Sequence, residues 1–322
     1  MLQALLDRSI LFSFDRTGFR RHARSFIPGE LETPQAGRIA VVTGASSGLG
    51  IEIARGLLER GASVILACRD TAKGERVRAG LPHAERARVM KLDVSDFASI
   101  RAFAASLEES AVDILVHNAG ALVDTATFTH EGLETTVATH LVGPLLLTHA
   151  LWKNLARSTD ARLIHVSSGG MYAERLDLPA LFEMKPGDAA SKAFDGVRQY
   201  ARAKRAQVIV SERLAAFART ASLPIKVSAM HPGWADTPGV RTSLPRFHWL
   251  TRAILRSPAE GADTVLFLAL ADRAKEANGR FYFDRAAQPT HMRPSTEERA
   301  DERDALWSRL LHITGLNEGA FS

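Results

Sequence analysis

The chain has 322 residues, with 41 Lys plus Arg against 36 Asp plus Glu and 46% hydrophobic residues. Such composition specifies a packed globular core and excludes a collagen-like repeat, a long coiled coil and a wholly disordered chain. A net charge of +5, with both signs mixed along the sequence and no basic run interleaved with aromatics, argues against a nucleic-acid partner. The single cysteine, Cys68, can form neither an internal disulfide nor a Cys-rich metal site, so no metal is expected and a reducing, cytoplasmic setting fits best.

In residues 1–37, Leu2, Leu5, Leu6, Ile10 and Ser13 recur at helical spacing, followed by Phe14, Phe19 and Phe26 among Arg16, Arg20, Arg21 and Arg24. No small-residue cleavage site follows, which argues against a secretory signal. Two readings stay open for residues 1–27: an amphipathic segment docked on its own domain or a partner subunit, or a peripheral contact with a membrane surface. From residue 38, β-branched runs at 38–43, 63–69, 87–94, 113–116, 161–166, 225–230 and 280–283 alternate with helical patterns at 50–60, 97–109, 133–155, 197–219 and 258–271. This alternation predicts an α/β fold with one doubly wound, seven-stranded parallel sheet and helices on both faces. One domain is expected over 38–290, with a tail at 291–322. The charge-free stretch Thr135 to Trp152 contains Pro144, His140 and His149 and reads as a buried helix, covered by the core or by a partner. Residues 171–195 and 239–257 break the rhythm, as functional or mobile loops do. In the second, Leu244, Phe247, Trp249 and Leu250 mix with Arg246 and Arg252. That pattern suits a cover over a lipophilic substrate, or an ordinary helix packing its apolar face.

The first strand runs into Thr43-Gly44-Ala45-Ser46-Ser47-Gly48-Leu49-Gly50 and then a helix. Glycines in that position allow a tight turn and close approach of a pyrophosphate to the helix N-terminus. The second strand ends in Cys68-Arg69, where an acid would accept a bond from a ribose hydroxyl in NAD(H). A guanidinium there favours the 2′-phosphate of NADP(H). Asp70 reads as a helix N-cap, while Lys73 is either a second phosphate contact or an exposed lysine.

These motifs, with Asn118-Ala119-Gly120 after the fourth strand, Ser168 after the fifth and Tyr200 four residues before Lys204, resemble the short-chain dehydrogenase/reductase family over residues 38–283. VSSGGM at 166–171, YARAKRAQ at 200–207, HPGWADTPGV at 231–240 and Ile27-Pro28-Gly29-Glu30-Leu31 are similar to its orphan group called dehydrogenase/reductase member 12, over nearly the whole chain. The resemblance implies a Rossmann-type sheet, an NAD(P) cofactor, and interconversion of a small-molecule carbonyl and alcohol. It implies cofactor contacts at Gly44, Ser46, Ser47, Gly48, Leu49, Gly50, Arg69, Val94, Asn118, Ala119, Gly120, Pro232, Gly233, Tyr200 and Lys204. Asp93 would meet the adenine and Thr237 the nicotinamide amide. Ser168, second of its Ser-Ser pair, is the implied catalytic serine, and homo-oligomers form in the family through the helix around Leu141 to Trp152.

Reducing a carbonyl needs a hydride on carbon and a proton on oxygen. A phenol titrates near 10, and Lys204, one helical turn after Tyr200, favours the phenolate. Tyr200 is thus the candidate acid/base, Lys204 its tuner, and Ser168 the donor that orients the substrate oxygen. One position departs from the family pattern: His140 stands where an asparagine usually holds a water that relays protons toward the lysine. An imidazole can hydrogen-bond a water too, or simply pack. The alternative function is therefore a nucleotide-binding regulatory protein with impaired turnover. A nucleotide-sugar epimerase or dehydratase is disfavoured, because those relatives space the loop TGxxGxxG.

Overall fold

A computed structural model describes residues 10–321 apart from 273 and 275–277; Leu2, Leu5 and Leu6 lie outside the described residues. The β-branched runs form β1 (Ile39–Thr43), β2 (Ser63–Cys68), β3 (Ala87–Lys91), β4 (Ile114–His117), β5 (Ala161–Val166), β6 (Ile225–Met230) and β7 (Arg280–Phe283). All pair in parallel, in the order β3-β2-β1-β4-β5-β6-β7. β1 lies between β2 and β4, with Val41 opposite both Ile65 and Leu115. The strand order reverses there, and the carboxyl ends of β1 and β4 border the crevice in which such sheets take ligands.

The major helices are α1 (Ile10–Phe14), α2 (Arg16–His22), α3 (Leu49–Glu59), α4 (Thr71–Ala79), α5 (Phe97–Ala105), α6 (Gly143–Ala156), α7 (Gly196–Thr220), α8 (Pro258–Leu270) and α9 (Ala300–Thr314). Strand side chains alternate between faces, so Val41, Ile65, Leu115 and Leu163 pack with Ile100 of α5, Leu145 of α6 and Ile209 of α7. Val42, Leu66, Val116 and Ile164 face the other way, against Ile53 and Leu57 of α3 and Val265 of α8. Burial on both faces explains the continuous apolar runs. Side chains of Asp70, Asp96 and Asp195 cap α4, α5 and α7, and Ser257 with Glu260 closes a capping box on α8.

The sheet carries one strand more than the seven expected. After β7 the chain turns at Asp284-Arg285 and adds antiparallel β8 (Ala286–Gln288). Both turn residues have positive φ, 47° and 60°, in a conformation for which Asn-Gly is the usual sequence. Long-range ion pairs replace that signal. Asp284 binds Arg256 at 2.5 and 2.9 Å and His22 at 2.6 Å, while Arg285 binds Asp263 at 2.6 and 2.7 Å.

The described part of the N-terminal segment docks on this corner of its own domain. Phe14 packs with Met171, Tyr172, Phe281 and Phe283, and the Arg256 guanidinium donates to the carbonyls of Ser13, Phe14 and Asp15. At the other end of the chain, within 291–322, α9 brings Leu306, Trp307, Leu310 and Leu311 into the main core. Phe321 stacks edge-on against Trp152, 5.1 Å between centroids, so the chain's own C-terminal segment covers part of α6.

Candidate active site

The glycine-rich turn is held by its neighbours rather than by itself. Thr43 Oγ1 accepts the N–H groups of Asn118 and Ala119, each at 3.0 Å, and donates to the Val116 carbonyl. Asn118 Nδ2 donates back to the Thr43 carbonyl at 2.9 Å. The ends of β1 and β4 are thereby stitched together across the switch point. Gly44 and Gly48 have φ of +66° and +53°. A Cβ on Gly44 would lie 2.8 Å from Ala119 Cα, and one on Gly50 would lie 2.4 Å from the Gly44 carbonyl oxygen, so side chains at either position would force the turn open. Gly48 faces Thr237. Ser46, Ser47 and Leu49 are half-buried along the turn. Behind Gly48, α3 starts with no side-chain cap, in contrast to α4, α5, α7 and α8, and Gly50 N donates to the Ser47 carbonyl of the turn at 3.2 Å.

At the end of β2, Cys68 is buried and the Arg69 side chain is exposed, 4.0 Å from the Asp93 carboxylate. Asp93 accepts the N–H and hydroxyl of Ser95 at 2.9 and 2.6 Å, while Val94 is buried. Asp70 accepts Lys73 N at 2.9 Å as the cap of α4, which occupies the acid nearest to Arg69 in sequence. β3 ends at Lys91, so Asp93 and Val94 lie beyond it rather than within the expected strand.

Tyr200 and Lys204 lie one turn apart on α7, whose N-cap is Asp195. Ser168, the first residue past the Ser167 that follows β5, accepts the Gly170 N–H on its Oγ at 3.1 Å. Burial raises the Tyr200 phenol above its ordinary value, and the nearby Ser168 hydroxyl opposes the rise. Ser167, the competing serine, instead donates to the Lys204 carbonyl at 3.1 Å. Lys204 Nζ lies 5.5 Å from the centre of the Tyr200 ring and donates to the Val166 carbonyl at 2.6 Å and to Gln207 Oε1 at 3.3 Å. Burial alone brings its ammonium down to about 7.

His140 sits in a π-helical turn, Ala138–Val142, ahead of α6. Its Nε2 lies 2.6 Å from the Ala121 carbonyl and 3.2 Å from the Ala121 N–H, so it donates to the first when protonated and accepts from the second when not, and its ring meets Tyr200 edge-on at 4.9 Å. A Cβ on Gly120 would lie 2.7 Å from His140 Cε1, so glycine there makes room for the imidazole. Burial first, and Lys204 second, push His140 well below the ordinary histidine range. Beyond β6, Gly233 has φ +71° under Arg256, Pro232 offers its carbonyl to the same guanidinium at 3.5 Å, and Thr237 Oγ1 caps the short helix Pro238–Ser243. The fold thus brings Ser168, Tyr200, Lys204 and His140 together and sets Gly48 against Thr237. Pro232 and Gly233 serve the N-terminal dock. Two residues absent from the sequence-based site are Thr43, signalled only as the first letter of its motif, and Gln207, signalled only by lying one turn beyond Lys204.

Comparison with known proteins bears on the family. The short chain dehydrogenase family model matches residues 38–175. Dehydrogenase/reductase SDR family member 12 of Bos taurus is 38% identical, over 88% of this chain and 87% of its own. Retinol dehydrogenase 11 of Homo sapiens is 32% identical, over 77% of each chain. A solved Pseudomonas aeruginosa RhlG/NADP active-site complex superposes with a TM-score of 0.62 at 25% identity, covering 80% of this chain and 96% of that one. Identity of this extent, on a chain that folds into the same sheet and keeps the glycine turn with the Ser-Tyr-Lys cluster, means that this chain belongs to the short-chain dehydrogenase/reductase family and is similar to its member 12.

Proposed function

We propose that the protein is an NADP(H)-dependent oxidoreductase that interconverts a carbonyl and an alcohol on a lipophilic substrate, with Tyr200 as acid/base. The observation that carries this reading is the buried Lys204, held by two neutral acceptors, with its Nζ 5.5 Å from the centre of the Tyr200 ring and Ser168 beside the phenol. The residues present suit a dinucleotide. The uncapped start of α3 and the positive-φ glycines would hold the pyrophosphate, Arg69 the 2′-phosphate, and Thr237 the nicotinamide amide. When bound, the nicotinamide supplies the hydride. Tyr200 Oη donates the proton to the carbonyl oxygen, Ser168 Oγ holds that oxygen, and the nearby ammonium offsets the charge left on the phenolate.

The retinol dehydrogenase relative supports a lipophilic substrate, as do the exposed Trp249 and Leu250 in the short helix Pro245–Thr251. Among the described residues no helix is long and apolar enough to cross a membrane. Peripheral membrane contact and self-association remain part of the proposal, and a partner at α6 would meet Phe321 and α9 first. One observation favours the alternative, a nucleotide-binding protein with impaired turnover: the His140 ring is committed to Ala121.

Purified protein with NADPH or NADH and a panel of lipophilic aldehydes, ketones and small sugars separates these readings. Tyr200→Phe is expected to lower turnover about 10²–10⁴-fold while leaving the NADPH dissociation constant unchanged. Tight NADPH binding with no turnover on any substrate would favour the alternative. Full activity of Tyr200→Phe would refute the mechanism.

A further inference from the structure

Gln207 lies on α7 one turn beyond Lys204 and is 2% exposed, a depth at which each carboxamide atom needs a partner. Both have one. Oε1 accepts from Lys204 Nζ at 3.3 Å, and Nε2 donates to the main-chain carbonyl of His140 at 2.9 Å. The amide can stand only this way round, since the reverse would set an NH2 against an ammonium and a carbonyl against a carbonyl. An ammonium has three donors. Val166 and Gln207 take two of them and aim the head group under the Tyr200 ring.

We infer that Gln207 is a positioning residue for Lys204: its carboxamide ties the ammonium to the backbone of the π-helical turn, so that residue 140 acts on the lysine through its carbonyl and not through its imidazole. This deepens the proposed function and rests on it for its catalytic meaning, although the tie itself concerns the protein alone. The π turn, which presents the His140 carbonyl to α7, is then part of the site's architecture. The titratable groups facing Lys204 are Tyr200 from its own helix, His140 from the π turn, His117 from β4 and His165 from β5. Burial depresses all three imidazoles, which favours their uncharged forms and keeps a like charge away from the ammonium. Gln207 Oε1 and the Val166 carbonyl are the acceptors that hold the charged form of the lysine.

The test follows the Lys204 side chain by NMR in protein carrying 13C-labelled lysine, without cofactor, with its resonance assigned by loss in Lys204→Met. Gln207→Leu is expected to lower the titration midpoint of Lys204 by about one pH unit, because a charge-assisted hydrogen bond is lost. Gln207→Glu, which puts an anion beside the ammonium at the cost of the amide donor to His140, is expected to raise it by at least about one unit. Should Gln207→Leu fail to fold, Gln207→Glu alone decides, since an unchanged midpoint in that variant overturns the inference. An unchanged midpoint in a folded Gln207→Leu does so equally. With NADPH and decanal, the pH profile of turnover in Gln207→Glu is expected to move with the midpoint while the NADPH dissociation constant stays within about twofold of the parent. A midpoint that ignores Gln207 sinks this inference and leaves the proposed function standing. Loss of the proposed function through an active Tyr200→Phe leaves the midpoint result intact.

Discussion

The Tyr200–Lys204 corner and the Arg256–Asp284 clamp each bury a positive charge, and they treat it in opposite ways. Arg256 is 1% exposed, faces both carboxylate oxygens of Asp284, and donates to three backbone carbonyls of the N-terminal segment. Lys204 is 3% exposed and meets one carbonyl and one carboxamide. A cation that joins segments is neutralised within the protein, because an unpaired buried charge is costly. A cation left with neutral partners is held in an unstable ionisation state, which is how functional groups come to titrate near neutrality.

Three measurements sharpen or break that contrast. The largest effect is expected at the clamp. Asp284→Asn keeps a residue type that tolerates the φ of 47° but removes the counter-charge of Arg256 and the acceptor of His22. Urea unfolding should register a loss of about 3–5 kcal/mol. Hydrogen bonds from His22 and Arg256 hold this carboxyl below its ordinary value, although burial, the largest single influence, opposes them. Its folded value is depressed, so the stability it contributes is present above about pH 4 and is lost as pH falls through the folded value. A loss under about 1 kcal/mol would mean that the clamp is ornamental to the fold.

Lys204→Met should act in the opposite direction and stabilise the fold by about 1–4 kcal/mol at neutral pH, while abolishing activity, because a buried charge gives way to an apolar chain of similar length. Burial lowers the lysine from 10.5 to about 7. Between those values the unfolded chain binds more protons than the folded one, so the parent's stability through this group rises from about pH 7 to about pH 10. The Met variant should lack that rise. Identical pH slopes in the two proteins would show that Lys204 is not depressed.

The smallest effect concerns a third kind of cation, the exposed Arg69 at the end of β2. Arg69→Ala should weaken NADPH about 10- to 100-fold, leave NADH binding unchanged, and leave stability unaltered. Calorimetry with both nucleotides checks this, and equal affinities in the parent would remove the basis for a phosphate preference.

The two halves of the catalytic corner were not equally legible. Tyr200 and Lys204 are four residues apart on one helix, and the glycine turn is contiguous, so sequence alone brings those groups together. Gln207 was hidden for another reason: a glutamine on a long helix has no local signature, and its function depends on a carbonyl contributed by the π turn 67 residues earlier. His140 marked an unusual position, but only the folded chain directs its ring to Ala121 and its carbonyl to Gln207.

The sequence by itself determined the parallel sheet and the glycine-rich turn between its first strand and helix, because hydrophobic period and glycine placement act over a few residues. β2 and β3 end at Cys68 and Lys91, earlier than the expected runs 63–69 and 87–94. Tertiary structure alone decided the eighth strand and the docking of the N-terminal segment. Asp284-Arg285 carries no turn signal, and its side chains are held by Arg256, Asp263 and His22, residues that lie 22 or more positions away in sequence. Contacts of that range depend on the whole chain having folded, and no local pattern can encode them.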